Sequence, residues 1–300
     1  MNEPSTQNHT LRGVLCTTIG GVCWGFSGTC GQYLFSTTDI STLWLTCIRL
    51  LTAGTLMLLL ALRSHRRRIL ELLRSPRDLA GVAVFGVFGL AMCQLSYMTA
   101  ISYSNAATTT VLQNLNLVFI MLLSCLRTRR RPNRAEGVSL ALALAGTYIL
   151  ATGGDPRHMV LSGRGLFWGI ATAVAGTIYT LLPRRLLPKW GQEVVTGCGM
   201  LIGGVALNLA ARSWTLYVPI PGRAWLAIGA IVVLGTVVSF TLFMRGLQDV
   251  GAVKSSMLAS TEPVSATVFS AVWLGTTFSA PDLIGFACII ATIFLLAKSE

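Results

Sequence analysis

Ten apolar segments, each close to the length of a membrane-spanning helix, recur along the whole chain. A transmembrane helix needs about 20 predominantly apolar residues. The segments are 13–35, 41–62, 79–100, 104–126, 134–152, 163–183, 194–211, 223–245, 251–275 and 281–298. Only 11% of the residues are charged, whereas a soluble domain carries about 25%. The sequence therefore predicts an all-α integral membrane protein with ten transmembrane helices, not a soluble domain with an anchor.

Arginines cluster in the loops on one side of the predicted bundle. The loop 63–78 holds six and the loop 127–134 holds five, and Arg184, Arg185 and Lys189 follow the sixth span. The loops on the other side hold Arg157, Arg164, Arg212 and Arg223. Cytoplasmic loops are enriched in basic residues, so we expect both termini, including a polar tail at 1–12, to be cytoplasmic. The same clustering assigns the net charge of +12 to membrane orientation, and no nucleic acid is expected as a partner.

The chain contains an internal repeat at a constant offset of 146 residues. Gly89 of "GLAMCQLSYMTAISYSNAATTTVLQNLNLVF" aligns with Gly235 of "GTVVSFTLFMRGLQDVGAVKSSMLASTEPVS", and Asn116 aligns with Glu262. The predicted domains are thus two repeats of five helices, 13–152 and 163–298, and Gly13 aligns with Gly165 at their starts.

Five is an odd number, so the second repeat must enter the membrane from the opposite side to the first. The arginines agree, because the loop 127–134 carries five and its counterpart 276–280, "TTFSA", carries none. Inverted repeats with an axis in the membrane plane are an architecture of secondary transporters. The pattern predicts alternating access through a central site, and no enzymatic activity, cofactor or metal site is expected.

The repeated stretches resemble those of a known family. "CWGFSGTCGQ" in the first span, "CIRLLTAGTLMLLLAL" in the second and "FMRGLQDVGAVKSSMLASTEPVSATVFSAVWLG" in the second half carry the resemblance. The chain is similar to the drug/metabolite transporter superfamily, specifically its ten-helix exporters with two EamA-type domains. That resemblance implies export of metabolites, amino acids or drugs across a bacterial inner membrane. The chain departs from the family pattern at Asn116-Leu117, where Glu-Pro is frequent, and at Gly275-Thr276, where Gly-Glu is frequent.

Two charged residues, Arg49 and Glu262, lie well inside predicted spans. A charge near the middle of a bilayer costs about 2.5–3.5 kcal/mol on insertion scales, so it usually faces a partner or a cavity. Arg49 either locks helices together through backbone carbonyls or receives a carboxylate or phosphate with its planar fork. Glu262 is either a packing feature of a helix kink or part of a cavity wall. Pro263 has no N–H and is the predicted kink.

Polar and aromatic residues on neighbouring helix faces complete the predicted cavity. They are Trp24 on the first span, Gln94 and Tyr97 on the third, Gln113 and Asn116 on the fourth, Tyr179 on the sixth and Phe243 on the eighth. Gly21 and Gly25, four residues apart, favour close packing of the first span against a neighbour.

Three classes of function are compatible with these features. The first is export of a small polar or amphipathic metabolite such as an amino acid, whose carboxylate would meet Arg49 and whose ammonium would meet Glu262. The second is export of cationic or aromatic drugs, favoured by Glu262 and the aromatic residues. The third is a non-transporting scaffold or an intramembrane enzyme. The lack of a His/Asp/Glu catalytic cluster in the spans counts against an enzyme, and a scaffold would not need a duplicated, inverted bundle with polar stripes. The expected partners are a small-molecule substrate, the lipid bilayer and protons, and the protein is expected to act as a monomer or homodimer.

Overall fold

Ten helices of transmembrane length or nearly so form one bundle in the computed structural model, which describes residues 3–155 and 159–297. The helices are α1 (Glu3–Thr37), α2 (Thr42–Leu73), α3 (Pro76–Tyr103), α4 (Ala106–Thr128), α5 (Arg134–Thr152), α6 (Gly163–Arg185), α7 (Gln192–Ala211), α8 (Gly222–Val250), α9 in two segments (Ala252–Ala259 and Thr261–Leu274) and α10 (Ala280–Ala297). Residues 1–2 of the predicted tail, Arg157 and Lys298, which the sequence analysis used, lie outside the described residues.

Among the described residues, eight helices, α2 to α8 and α10, are long and apolar enough to cross a membrane. The two others, α1 and α9, pack on the opposite half of the chain: α1 packs on α8 and α9, and α9 packs on α1 and α4. Their many Gly, Ser and Thr residues lower their hydropathy, and small residues are what let helices approach closely in a membrane. The prediction of an all-α membrane bundle of about ten helices is confirmed.

The largest departures from the predicted spans are at the start of α1 and at the end of α2. α1 is already helical at Glu3, within the predicted tail. α2 continues to Leu73 through the arginine-rich segment predicted as a loop, with a non-helical residue at His65. Ile69 and Leu72 in this extension are buried, and Arg67 pairs with Glu71 at 3.0 Å. An amphipathic segment with such an i,i+4 pair forms a helix readily.

The packing of the helices repeats when the two halves are exchanged. α1 packs on α8, and their counterparts α6 and α3 pack on each other in the same way. In each of the other cases a helix packs on its own counterpart: α2 on α7, α4 on α9 and α5 on α10. Arg12 donates to Asp249 at 2.8 and 2.9 Å, and the aligned residue Arg164 lies over the aligned ring of Tyr103 at 5.8 Å. These two contacts lie at opposite ends of the bundle, as a two-fold axis in the membrane plane requires. We call the two ends the Arg12 end and the Gln32 end, after residues of α1.

The irregular parts of the helices also occur in equivalent places. A π-helical segment interrupts α3 at Phe85–Ala91 and α8 at Val233–Val238. α4 is broken at Asn114 and α9 at Ser260, positions that are 146 residues apart. The break in α9 precedes Pro263, whereas α4 breaks without a proline. Backbone freed from the helical ladder in this way is tolerated in membranes where it is buried in protein or lines a cavity.

Candidate functional site

Arg49 lies in the interior between α2 and α8. Its side chain is about 95% removed from solvent, with 5% exposed. Nε donates a hydrogen bond to Thr236 Oγ1 at 3.1 Å and Nη2 donates to the Gly235 carbonyl at 3.2 Å. Both partners lie in the π-helical segment of α8, where the wider turn turns carbonyls away from the helical ladder. Within the part of the chain that the structure describes, the buried Nη1 has no hydrogen-bond partner.

Glu262 lies in the first turn of the second segment of α9, just after the break at Ser260. Its side chain is half-buried. Its charge lies within interaction range of Arg49, Tyr97 and Cys93. Among the described residues no direct ion pair joins the carboxylate to Arg49, so the two opposite charges are near one another but separated.

Two glycines of α1 allow α9 to come this close. A Cβ on Gly25 would lie 2.6 Å from the Glu262 carbonyl and 2.7 Å from the Ala266 nitrogen. These are backbone atoms that cannot rotate away. At Gly21 the same atom would meet Thr261 Oγ1 and the Glu262 nitrogen. The pair of glycines therefore determines how near the Glu262 backbone lies to α1.

The polar residues predicted on α3 and α4 divide into two groups. Tyr97 is buried and its hydroxyl shares a hydrogen bond of 2.9 Å with Thr110 Oγ1. Gln113 approaches Cys93 at 3.9 Å, Nε2 to Sγ, and Gln94, next to Cys93, is half-buried. Asn116 instead packs on α6, since a Cβ on Gly176 would lie 3.3 Å from its Nδ2.

The aromatic candidates fall in two separate places. Trp24 contacts Phe240 and Phe243 with ring centroids 5.4 and 5.2 Å apart, across the interface of α1 and α8. Tyr179 stacks on Phe85 of α3 at 5.7 Å. All of these rings except Phe85 are half-buried.

Cys93 is a central residue that the sequence interpretation treated as packing. It is buried and lies near Arg49, Glu262 and Tyr179, and Gln113 Nε2 lies 3.9 Å from its sulfur. Cys93 precedes Tyr97 by four residues, so both project from the same face of α3. That spacing was the signal in the sequence that could have placed it in the site.

A family model decides the identity of the fold. The model described as the EamA-like transporter family matches residues 11–152 and 163–298. The chain belongs to the EamA-like transporter family. It is a multi-pass inner membrane transporter and not an enzyme, and the resemblance stated from the repeat motifs is confirmed.

Relatives of this transporter cover nearly its whole length. It is 36% identical to a Salmonella typhimurium protein named "Uncharacterized inner membrane transporter YicL". The 289 aligned residues cover 96% of each chain. It is 24% identical over 269 residues to the Escherichia coli protein named "Uncharacterized inner membrane transporter YedA", covering 84% of this chain and 80% of that one. A crystal structure that is 20% identical in sequence superposes with a TM-score of 0.61 over 98% of both chains, and at that identity the likeness concerns the fold.

Proposed function

We propose that the transporter exports a small metabolite, an amino acid or a related polar or amphipathic compound, across the inner membrane by alternating access. The observation that carries the proposal is the separated pair of Arg49 and Glu262 in the interior. Arg49 keeps Nη1 free of a hydrogen-bond partner among the described residues. An unpaired interior charge is costly, so a ligand that brings a carboxylate to Arg49 and an ammonium to Glu262 would be favoured there.

The irregular helices around this pair support alternating access. The carbonyl that Arg49 uses belongs to a π-helical segment, and Glu262 follows the break in α9. Discontinuous helices beside a central site are where transporters of inverted-repeat architecture bind substrate. α3 and α4 of the first repeat contain equivalent irregularities. The two repeats can therefore move in the same way, as alternating access requires when they exchange conformations.

The test is direct measurement with the purified transporter in liposomes. A panel of amino acids and other small metabolites is screened for uptake and for thermal stabilisation, and each hit is compared with its amide and its decarboxylated amine. We expect the parent amino acid to exceed both analogues, because each analogue lacks the carboxylate that Arg49 would receive. A panel without uptake or stabilisation by any amphoteric metabolite would overturn the proposal.

The aromatic cluster favours a second candidate, export of cationic or aromatic drugs. Trp24, Phe240 and Phe243 present rings on the α1–α8 interface, and rings attract cations through their negative faces. The same panel separates the two candidates. For a drug exporter the decarboxylated amine and a lipophilic aromatic cation would be transported in preference to the amino acid.

A further inference from the structure

Gln32 of α1 ties three elements together at the Gln32 end of the bundle. Its Oε1 accepts hydrogen bonds from the Ala106 N–H at 2.9 Å and from the Ser270 hydroxyl at 3.1 Å. Its Nε2 donates to Thr276 Oγ1 at 2.9 Å. Ala106 is the first residue of α4, Ser270 lies in α9 and Thr276 follows α9, so one amide joins both halves of the chain.

Neighbouring contacts reinforce this junction. The first N–H groups of a helix have no partner inside the helix, and the Gln32 carbonyl supplies one for α4. Phe26 and Tyr33 of α1 also both stack on Trp273 of α9, at 5.7 and 5.2 Å. The first segment of α4 also packs directly on the second segment of α9.

At the Arg12 end, the Arg12–Asp249 pair joins α1 to α8, but among the described residues no single side chain there ties three elements together as Gln32 does. The residue that aligns with Gln32, at the offset that pairs Gly13 with Gly165, is Arg184, which is exposed. Among the residues that the structure describes, the second segment of α4 and the first segment of α9, which lie at this end, do not pack on each other as their counterparts do. α1 packs on α3 and α4, whereas α6 makes no similar contact with α8 and α9 among the described helices.

Gln32 stands between the candidate site and the Gln32 end. It follows Gly25, which touches the Glu262 backbone, by seven residues, so the two share a helix face. At 1.5 Å per residue Gln32 lies about 10 Å further along α1. A substrate at the Arg49–Glu262 pair that moved towards this end between α1, α4 and α9 would meet this junction.

We propose that Gln32 is the gate residue at the Gln32 end, the side that the arginine distribution predicts to be periplasmic. This inference rests on the proposed function, because it assigns a gate to the same central site. The side chain holds α1, α4 and α9 together in the conformation described here, and its hydrogen bonds break when the site opens to that side. Arg184, the aligned residue, is exposed and forms no equivalent set of hydrogen bonds among the described residues. The two ends are therefore held with unequal strength, and without substrate the protein favours the state that is closed at the Gln32 end.

The experiment measures the opening of this end without any substrate. Spin labels are attached to Ser102→Cys and Thr277→Cys, two exposed positions at the Gln32 end, in a variant whose eight native cysteines are replaced, reconstituted in liposomes. The distance distribution is measured by pulsed electron resonance for wild type and for Gln32→Leu, which keeps bulk and removes all three hydrogen bonds. We expect Gln32→Leu to add a population with a distance longer by roughly 5 Å, the scale of a one-turn helix shift.

Two further variants make the result decisive. Arg184→Leu, at the aligned position, is the matched control and should leave the distribution unchanged. Ser270→Ala with Thr276→Val removes two of the partners and leaves Gln32 in place, so it reports on the gate even if Gln32→Leu does not fold. An unchanged distribution in the double variant and in folded Gln32→Leu would overturn the gate. Because the readout needs no substrate, a longer distance in a protein that transports nothing would reject the proposed function and retain the gate.

Discussion

At the scale of single residues, the Arg49 guanidinium serves two purposes that one chemical group can combine. Two of its nitrogens anchor α2 to the π-helical segment of α8, which is the helix-locking role. The third nitrogen of the guanidinium, Nη1, remains without a hydrogen-bond partner among the described residues. A lysine has one compact ammonium and no planar fork, so it could fill one role but not both.

We therefore expect Arg49→Lys to insert and fold but to lose transport. A hydrogen bond to a charged group contributes about 1.5–3 kcal/mol, which corresponds to a loss of substrate affinity of roughly 10- to 100-fold. Substrate affinity is measured by thermal stabilisation in detergent. Arg245→Lys, at an exposed position of α8, is the control and should bind as wild type does. A lowered unfolding temperature with unchanged affinity would leave Arg49 only its helix-locking role.

Glu262 is the second residue whose charge can be separated from its shape. Glu262→Gln keeps the packing after the break in α9 and removes the charge. If the carboxylate takes up a proton in one state and releases it in the other, the variant should lose the pH dependence of transport. Exchange of pre-loaded substrate should remain, because exchange needs no net proton movement.

The measurement is uptake and exchange in liposomes over a range of internal and external pH. Glu193→Gln is a suitable control, because Glu193 is half exposed and pairs with His65 at 3.5 Å away from the site. Wild-type rates with wild-type pH dependence in Glu262→Gln would show that the glutamate belongs only to the bend of α9.

How far residues could be assigned from the sequence depended on whether they carry charge. Arg49 and Glu262 stand out because charge in an apolar span is costly. Gln32 and Cys93 do not, since an uncharged polar residue in a span is ordinary and its importance comes from partners far away in the chain. The Gln32 partners Ala106, Ser270 and Thr276 become neighbours only when the two halves pack.

At the scale of helices, periodicity and length gave the spans, but tertiary packing set their irregularities. The sequence predicts a kink at Pro263, and α9 is broken at Ser260, next to Ala259, whose carbonyl a proline four residues later leaves without a helical partner. α4 breaks at the aligned Asn114 without any proline, so a break at this place does not require one. The common factor is the close approach of α1 or α6: a Cβ on Gly25 would collide with α9, and one on Gly176 would crowd Asn116 of α4.

This packing predicts the effect of a single methyl group. Gly25→Ala would place a Cβ 2.6 Å from the Glu262 carbonyl, so α1 and α9 must separate. We expect destabilisation of about 1–3 kcal/mol, as for other overpacked interiors, with loss of transport. The midpoint of thermal unfolding in detergent measures the first and liposome uptake the second.

The matched control is Gly229→Ala in α8. A Cβ there meets nothing within 4 Å, and alanine is favoured over glycine inside a helix by about 0.5–1 kcal/mol. This variant should therefore be as stable as wild type or more so. Equal unfolding midpoints for Gly25→Ala and Gly229→Ala would contradict the close contact between α1 and α9.

At the scale of the whole molecule, two nearly equivalent halves are packed in an unequal way. The exchangeable contacts of α1 with α8 and of α6 with α3 hold each half to the other at both ends. Among the described residues, the contacts of α1 with α3 and α4, and of the first segment of α4 with the second segment of α9, add a junction at the Gln32 end that the Arg12 end lacks. The repeat was visible in the sequence because it leaves aligned residues. The unequal packing of the two ends was not visible in the sequence, because the same helices can pack closed at one end or closed at the other.

The orientation of the bundle is the last prediction, and it decides which side each gate faces. Basic residues concentrate in cytoplasmic loops, and the loop 127–134 carries five arginines where its counterpart 276–280 carries none. We expect residues 127–134 to be cytoplasmic and residues 276–280 to be periplasmic.

Arg131→Cys and Thr277→Cys, both at exposed positions, are made singly in a background without native cysteines and treated with a membrane-impermeant thiol reagent. Arg131 is preferable to Arg130, whose guanidinium is bound to Glu136 at 2.6 and 2.7 Å. In intact spheroplasts only Thr277→Cys should be labelled, and lysis should expose Arg131→Cys. Labelling of both from outside would contradict the inverted repeat, because an odd number of spans per half places these aligned loops on opposite sides. Labelling of Arg131→Cys alone would retain the inverted repeat but reverse its orientation, and Gln32 would then face the cytoplasm.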